Sequence, residues 1–191
     1  MRYLTLILLS ATVLSASAES LTVGGVTANR AQSVSGWIDV PARGDAGTRI
    51  PVTVVHGRQE GPVLALIAGT HGYEYTSIIA LGRLRAKLDP ARMKGSVILV
   101  HMASPPTFYG RRVYYGPDGK NLNRMFPGNA EGTSSERIAH ALTTEVIDKA
   151  THVIDMHCGD GNESLRPYSY WMPAGIDEKV DEAARQMLLA F

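Results

Sequence analysis

The chain has 191 residues, 45% of them hydrophobic, and 19 basic against 18 acidic side chains leave a formal net charge of +1. Such a composition marks a globular chain of one-domain size and gives no electrostatic footprint for nucleic acid, since neither a Lys/Arg-rich block nor a basic stripe with interleaved aromatics is present. The one cysteine, Cys158, excludes an internal disulfide, so the stability must come from a packed core.

The N-terminus reads as a processing segment. Arg2 supplies a short positive region, Leu4 to Leu14 is apolar but too short to span a bilayer, and Ala16-Ser17-Ala18 is a small-residue cleavage site. Residues 1–18 are therefore expected to be a signal peptide whose removal exports the protein, to the periplasm or beyond, with no membrane attachment afterwards. The alternative, a retained N-terminal anchor, lacks a following stop-transfer pattern. Residues 19–50 form an entry segment: Glu19 to Asp45 mix Gly, Ser, Thr and Asn without a clear period, and one strand is expected near Gly36 to Val40. Arg49 to Val55 and Val63 to Ile67 predict two strands, separated by Gly57 and Gly61-Pro62. The second is nearly all apolar, as a central strand covered on both faces should be.

After Gly69-Thr70-His71-Gly72, the residues Ile78, Ile79, Leu81, Leu84 and Leu88 recur at helical spacing, with Arg83, Arg85 and Lys87 between them. This helix should end before Pro90. Val97 to Val100 predicts a third strand. The stretch from Ala103 to Asn129 is rich in Gly, Pro and Tyr and has no period, and a loop so long inside a compact domain is usually functional. Thr133 with Glu136 is a capping box, followed by the stripe Ile138, Ala141, Leu142 and Val146, which predicts a helix to about Ala150. His152 to Met156 predicts a buried strand and Tyr168 to Met172 a further one. Val180, Ala184, Met187, Leu188 and Phe191 mark a helix opened near Asp177. Strands alternating with helices predict a three-layer α/β fold with a mainly parallel mixed sheet. The last stripe is still in phase at Phe191 with no Gly, Asn or Pro stop, so the domain 51–191 reads as truncated at its C-terminus.

Three His-x-x-acid spacings occur, His71/Glu74, His152/Asp155 and His157/Asp160, so spacing alone selects none of them. Context does. In α/β sheets functional groups gather at the carboxyl ends of strands. His71 follows one predicted strand and His157 ends another, whereas His152 begins its strand. Glu74 shares one turn with His71. Asp155 lies on the strand face of His157 and is either a partner that orients the imidazole or a plain satisfied polar residue. His56, His101 and His140 have no acidic residue at a useful spacing in the sequence and read as structural or solvated. Cys158 reads as a small buried thiol rather than a ligand. Tyr114 and Tyr115 either line a pocket or simply pack. Arg124 offers a planar fork matched to a carboxylate, with the Asn123 amide beside it, although pairing with a structural Asp would use the same fork.

The order His71-x-x-Glu74, then Asp118-Gly119-Lys120-Asn121-Leu122-Asn123-Arg124 with Phe126-Pro127-Gly128, then Asp155-x-His157, resembles the succinylglutamate desuccinylase/aspartoacylase family, a branch of the carboxypeptidase A-like metallohydrolases. The resemblance runs from about Pro51 to about Pro173 and implies a zinc-exopeptidase-like fold. It implies one zinc ion held by His71, Glu74 and His157, with an open fourth position for water. It assigns Asn123 and Arg124 to a substrate carboxylate, and an arginine of the same loop, Arg111 or Arg112, to the oxyanion. The family's general base is a Glu well beyond the third ligand, which is not expected within this chain; Glu163 lies in the loop after the strand and is not assigned that role. The implied activity is hydrolysis of an amide or related acyl bond in a small carboxylate-bearing substrate such as an N-acyl amino acid. Its rivals are a zinc carboxypeptidase acting on peptides and a non-catalytic carboxylate-binding relative.

Overall fold

A computed structural model describes residues 19–190; the export segment read in residues 1–18, and Phe191 at the end of the last apolar stripe, lie outside the described residues. Strands β1 (Ser20–Val23) and β2 (Val26–Asn29) form a separate antiparallel hairpin. Strands β3 (Gln32–Val40), β4 (Thr48–His56), β5 (Gln59–Ala68), β6 (Lys94–Val100) and β7 (His152–Met156) form a mixed sheet in the order β3-β4-β6-β5-β7. The β3/β4 and β4/β6 pairs are antiparallel, whereas β6/β5 and β5/β7 are parallel. The parallel half carries the functional residues.

Helices α1 (Tyr75–Arg85), α2 (Pro105–Tyr109), α3 (Ser134–Glu145) and α4 (Glu178–Leu189) accompany these strands, with 3-10 turns at Leu122–Arg124 and Ile147–Lys149. None is long and apolar enough to cross a membrane. Alternation along β5 sends Ala65 and Ile67 into a core shared with Ile138, Ala139 and Leu142 of α3, while Leu66 and Ala68 join Leu81 of α1 on the opposite face. That division produces three layers. It also explains why β5 is apolar on both sides: each face is covered by a helix.

The entry segment is more regular than its sequence suggests. Its Ser, Thr and Gly residues form β1, β2 and a nine-residue β3, because Val23, Val26 and Ala28 bury against the α3 side of the sheet. Strand β5 also begins earlier than expected and absorbs Gly61 and Pro62 through an irregularity in its register with β6 between Gln59 and Val63. The predicted strand Tyr168 to Met172 does not form, and Tyr168, Tyr170 and Met172 are exposed. Strand β7 is an edge strand among the described residues, so none of its five residues is buried. Helix α4 opens at Asp177, which caps it through Lys179 N, and none of its residues is buried.

Helix α3 is fixed by its predicted capping box: the Glu136 carboxylate accepts from Thr133 N at 2.9 Å and also holds Lys120 at 2.9 Å. Asp118 accepts from Ser135 N and Oγ at 2.8 and 2.7 Å. The start of α3 thus anchors the loop that precedes the Asn-Arg motif. The Thr133 amide and the Lys120 ammonium push the Glu136 carboxyl down to about 2. Burial would raise Asp118, but the bonds from Ser135 outweigh it and hold this carboxyl below its ordinary value. Both groups are depressed on folding, so their stabilisation is present above their unfolded values and is lost as pH falls, for Glu136 through about 2. Acidification from pH 5 towards 2 is therefore expected to lower the protection of Ser135 N against hydrogen exchange, relative to an unstructured peptide at the same pH, more in the wild type than in an Asp118→Asn, Glu136→Gln variant. An equal pH dependence in the two proteins would refute the anchoring role.

Candidate metal and carboxylate site

Strands β5 and β7 run parallel side by side, with Ala68 opposite Met156, so their carboxyl ends open on one edge of the sheet. His71 lies just past the end of β5 and His157 directly follows β7. Glu74 is the N-cap of α1, but its carboxylate makes no capping bond and turns instead to the two imidazoles. Glu74 Oε1 lies 2.8 Å from His71 Nδ1, and Glu74 Oε2 lies 2.9 Å from His157 Nδ1. A ligand atom from each of the three residues lies within 4.8 Å of the other two. His71 and Glu74 are therefore joined by the turn between strand and helix and not by a shared helical face.

The far nitrogens have their own partners. His157 Nε2 lies 2.9 Å from Asp155 Oδ2, and Asp155 Oδ1 accepts from Thr70 Oγ1 at 3.0 Å. His71 Nε2 lies 3.2 Å from Asn121 Oδ1. Each partner is an acceptor, so each Nε2 carries a proton and each Nδ1 faces the shared carboxylate. Burial would push the Glu74 carboxyl up, but hydrogen bonds and charge from His157 and His71 outweigh it and hold it below its ordinary value. Asp155 first and Glu74 second push His157 up to about 10, against the desolvation of its ring. A proton and a metal ion would compete for this negatively lined position.

The remaining expected residues come from the long loop. Its segment Arg111-Arg112-Val113 docks on the turn that carries His71: Val113 O accepts from Gly72 N at 2.9 Å, and Arg111 O accepts from Tyr73 Oη at 2.8 Å. A Cβ at position 72 would run into the carbonyl oxygens of Arg112 and Thr107, which accounts for a glycine directly after the histidine. Arg111 and Arg112 are exposed, and no described residue pairs with either guanidinium. Asn123 and Arg124 lie on the 3-10 turn Leu122–Arg124, which Asn121 caps by accepting from Asn123 N at 3.0 Å. Arg124 is exposed and donates to its neighbour's carbonyl, Asn123 O, at 3.2 Å; among the described residues it does not pair with an Asp. Gly128, at φ +87°, presses its backbone against α3, where a Cβ would meet Glu136 O and His140 N.

Tyr114 stands edge-on to His71 with ring centroids 4.9 Å apart, and the Asp160 carboxylate raises its hydroxyl to about 12. It forms one wall of the cluster. Tyr115 pairs with Asn121 through the backbone and is exposed. Glu163 Oε2 accepts from Asp160 N at 3.2 Å and so helps close the loop after β7. Cys158 is half-buried rather than buried, because the edge strand β7 has no cover on its outer side among the described residues. Sequence reasoning missed Asn121 and Thr70 as partners of the cluster. Asn121 did carry a signal, since it occupies a capping position inside the most specific motif of the chain.

Comparison with known proteins agrees with the fold. The pattern of the succinylglutamate desuccinylase/aspartoacylase catalytic domain matches residues 60–174. An N-alpha-acetyl-L-2,4-diaminobutyric acid deacetylase of Halomonas elongata is 36% identical over 138 residues, which are 70% of this chain and 40% of that protein. The crystal structure of an aspartoacylase family protein from Mesorhizobium loti superimposes with a TM-score of 0.61 at 35% identity, over 65% of this chain and 40% of the other. The product-bound ectoine utilization protein EutE (DoeB) from Ruegeria pomeroyi gives 0.59 at 30% identity, over 66% and 40%. The chain thus spans about 40% of the length of the relatives it matches.

Proposed function

Because the chain belongs to the succinylglutamate desuccinylase/aspartoacylase family, we propose that His71, Glu74 and His157 hold one zinc ion and that the protein is a deacylase. Members of this family are hydrolases, among them a deacetylase of an N-acyl diamino acid. The substrate class proposed here is a small carboxylate bearing an amide or related acyl bond, such as an N-acyl amino acid. The observation that carries this reading is the meeting of three metal-binding side chains at the ends of two neighbouring parallel strands.

The donor set fits the ion. Tetrahedral ligands at the usual zinc distances lie about 3.3 Å from one another, close to the 2.8 and 2.9 Å between Glu74 and the two Nδ1 atoms. Zinc bound there would supply Lewis acidity to the scissile carbonyl and lower the pKa of water. The protein's own groups would do the rest. Arg124 and Asn123 would bind the substrate carboxylate, since the Arg124 fork is exposed and without an acidic partner among the described residues. Arg111 or Arg112 would face the developing negative charge on the acyl oxygen, because their segment is docked directly on the His71 turn. Export of the protein remains part of the proposal and rests on the sequence of residues 1–18.

The test is to express the gene product at its full coding length, load it with zinc, and follow release of free amine from a panel of N-acyl amino acids. Turnover is expected to vanish on chelation and to return with zinc. Turnover that survives chelation, or release of C-terminal amino acids from peptides instead, would overturn the reading.

A further inference from the structure

We propose that Asn121 is the joint between the two halves of the site, so that occupation of the metal position by zinc orders the turn carrying Asn123 and Arg124. Asn121 Oδ1 lies 3.2 Å from His71 Nε2 and accepts from Asn123 N at 3.0 Å. A backbone N–H is always a donor, so the atom it meets is the amide oxygen and not the amide nitrogen. The same oxygen therefore accepts one hydrogen bond from the imidazole and one from the turn.

The two rings of the cluster are held differently. His157 rests on Asp155, a residue of its own strand β7, and Asp155 rests on Thr70, two residues past the end of β5. Its support belongs to the sheet. The support of His71 comes from a loop fifty positions away in sequence, the loop that also presents Asn123 and Arg124. A reorientation of the His71 ring on binding an ion would be felt at Asn121 Oδ1, and that atom is the cap of the 3-10 turn. By linkage the effect is reciprocal: whatever fixes the turn also fixes the ring. Asn121 touches neither a reacting atom nor the metal in this arrangement, so its role is that of a positioning residue.

The inference rests on the reading of His71 as a zinc ligand. Asn121→Ser separates capping from ring support, because serine is a good N-cap but is too short to reach His71. Asn121→Asp keeps an acceptor for both partners. Zinc dissociation constants of the full chain, measured by competition with a chromophoric chelator, are expected to rise tenfold to a hundredfold in the Ser variant and to return to within a few-fold of wild type in the Asp variant. Titration of zinc into the ¹⁵N-labelled protein should shift the Asn123 and Arg124 amides in wild type and in the Asp variant but not in the Ser variant. A Ser variant that binds zinc within twofold of wild type, or whose Asn123 and Arg124 amides shift as they do in wild type, overturns the joint alone. A wild-type chain that binds no zinc overturns the ligand assignment and the joint with it.

Discussion

Replacing both His71 and His157 by alanine is expected to abolish stoichiometric zinc binding, as read by elemental analysis after mild dialysis. The reason is the count of donors. Glu74 would be left as the one ligand of the three, and a single carboxylate cannot hold zinc against water. The fold should survive, because the two imidazoles lie at the ends of β5 and β7 and not in either apolar core. Circular dichroism of the variant separates loss of the site from loss of the protein. Zinc retained at one equivalent by a folded double variant would show that the ion, if bound, sits elsewhere.

Arg124→Lys carries the second large effect. Lysine keeps the charge but loses the planar pair of donors, so binding of an N-acyl amino acid to the zinc-loaded protein should weaken by about 2 to 4 kcal/mol, roughly thirtyfold to a thousandfold. Calorimetry would compare the N-acyl amino acid with its uncharged amide, which has no carboxylate to lose. Equal weakening for both ligands would make Arg124 a structural residue of the turn. The exposed guanidinium, whose one hydrogen bond goes to the neighbouring carbonyl, supports the specific outcome.

The elements that the sequence makes legible are those whose own residues carry the pattern. Helix α3 announces itself by Thr133 and Glu136, which form the same reciprocal capping bonds in the structure. Strand β5 is apolar on both faces because both are covered, and this is visible without knowing what covers them. The hairpin β1-β2 and most of β3 are hidden for the opposite reason. Their Ser and Gly residues have little strand preference, and the burial of Val23, Val26 and Ala28 depends on partners that are distant in sequence. Tyr168 to Met172 fails conversely: its aromatic alternation suits a strand, but no neighbouring strand among the described residues pairs with it. Within the site, strand-end context brings out His71, Glu74 and His157. Asn121 and Thr70 stay hidden because their meaning lies in one hydrogen bond each, and no periodicity reports a single contact.

The distance along the chain between Glu74 and His157 has a kinetic meaning. The two residues are 83 positions apart, and between them run α1, β6, α2, α3, β7 and their connecting loops. Bringing the ends of so long a segment together costs about 4 kcal/mol of chain entropy on a simple logarithmic estimate. That cost is met by the pairing of β7 alongside β5 and by the burial of α3, not by the side chains of the site. An intermediate in which β7 has not yet docked would hold His71 and Glu74 in place and have no third donor. Acquisition of a tightly held ion would therefore follow the docking of β7 and would not act as a seed for it, so the metal would be loaded onto paired strands and not onto an unpaired chain.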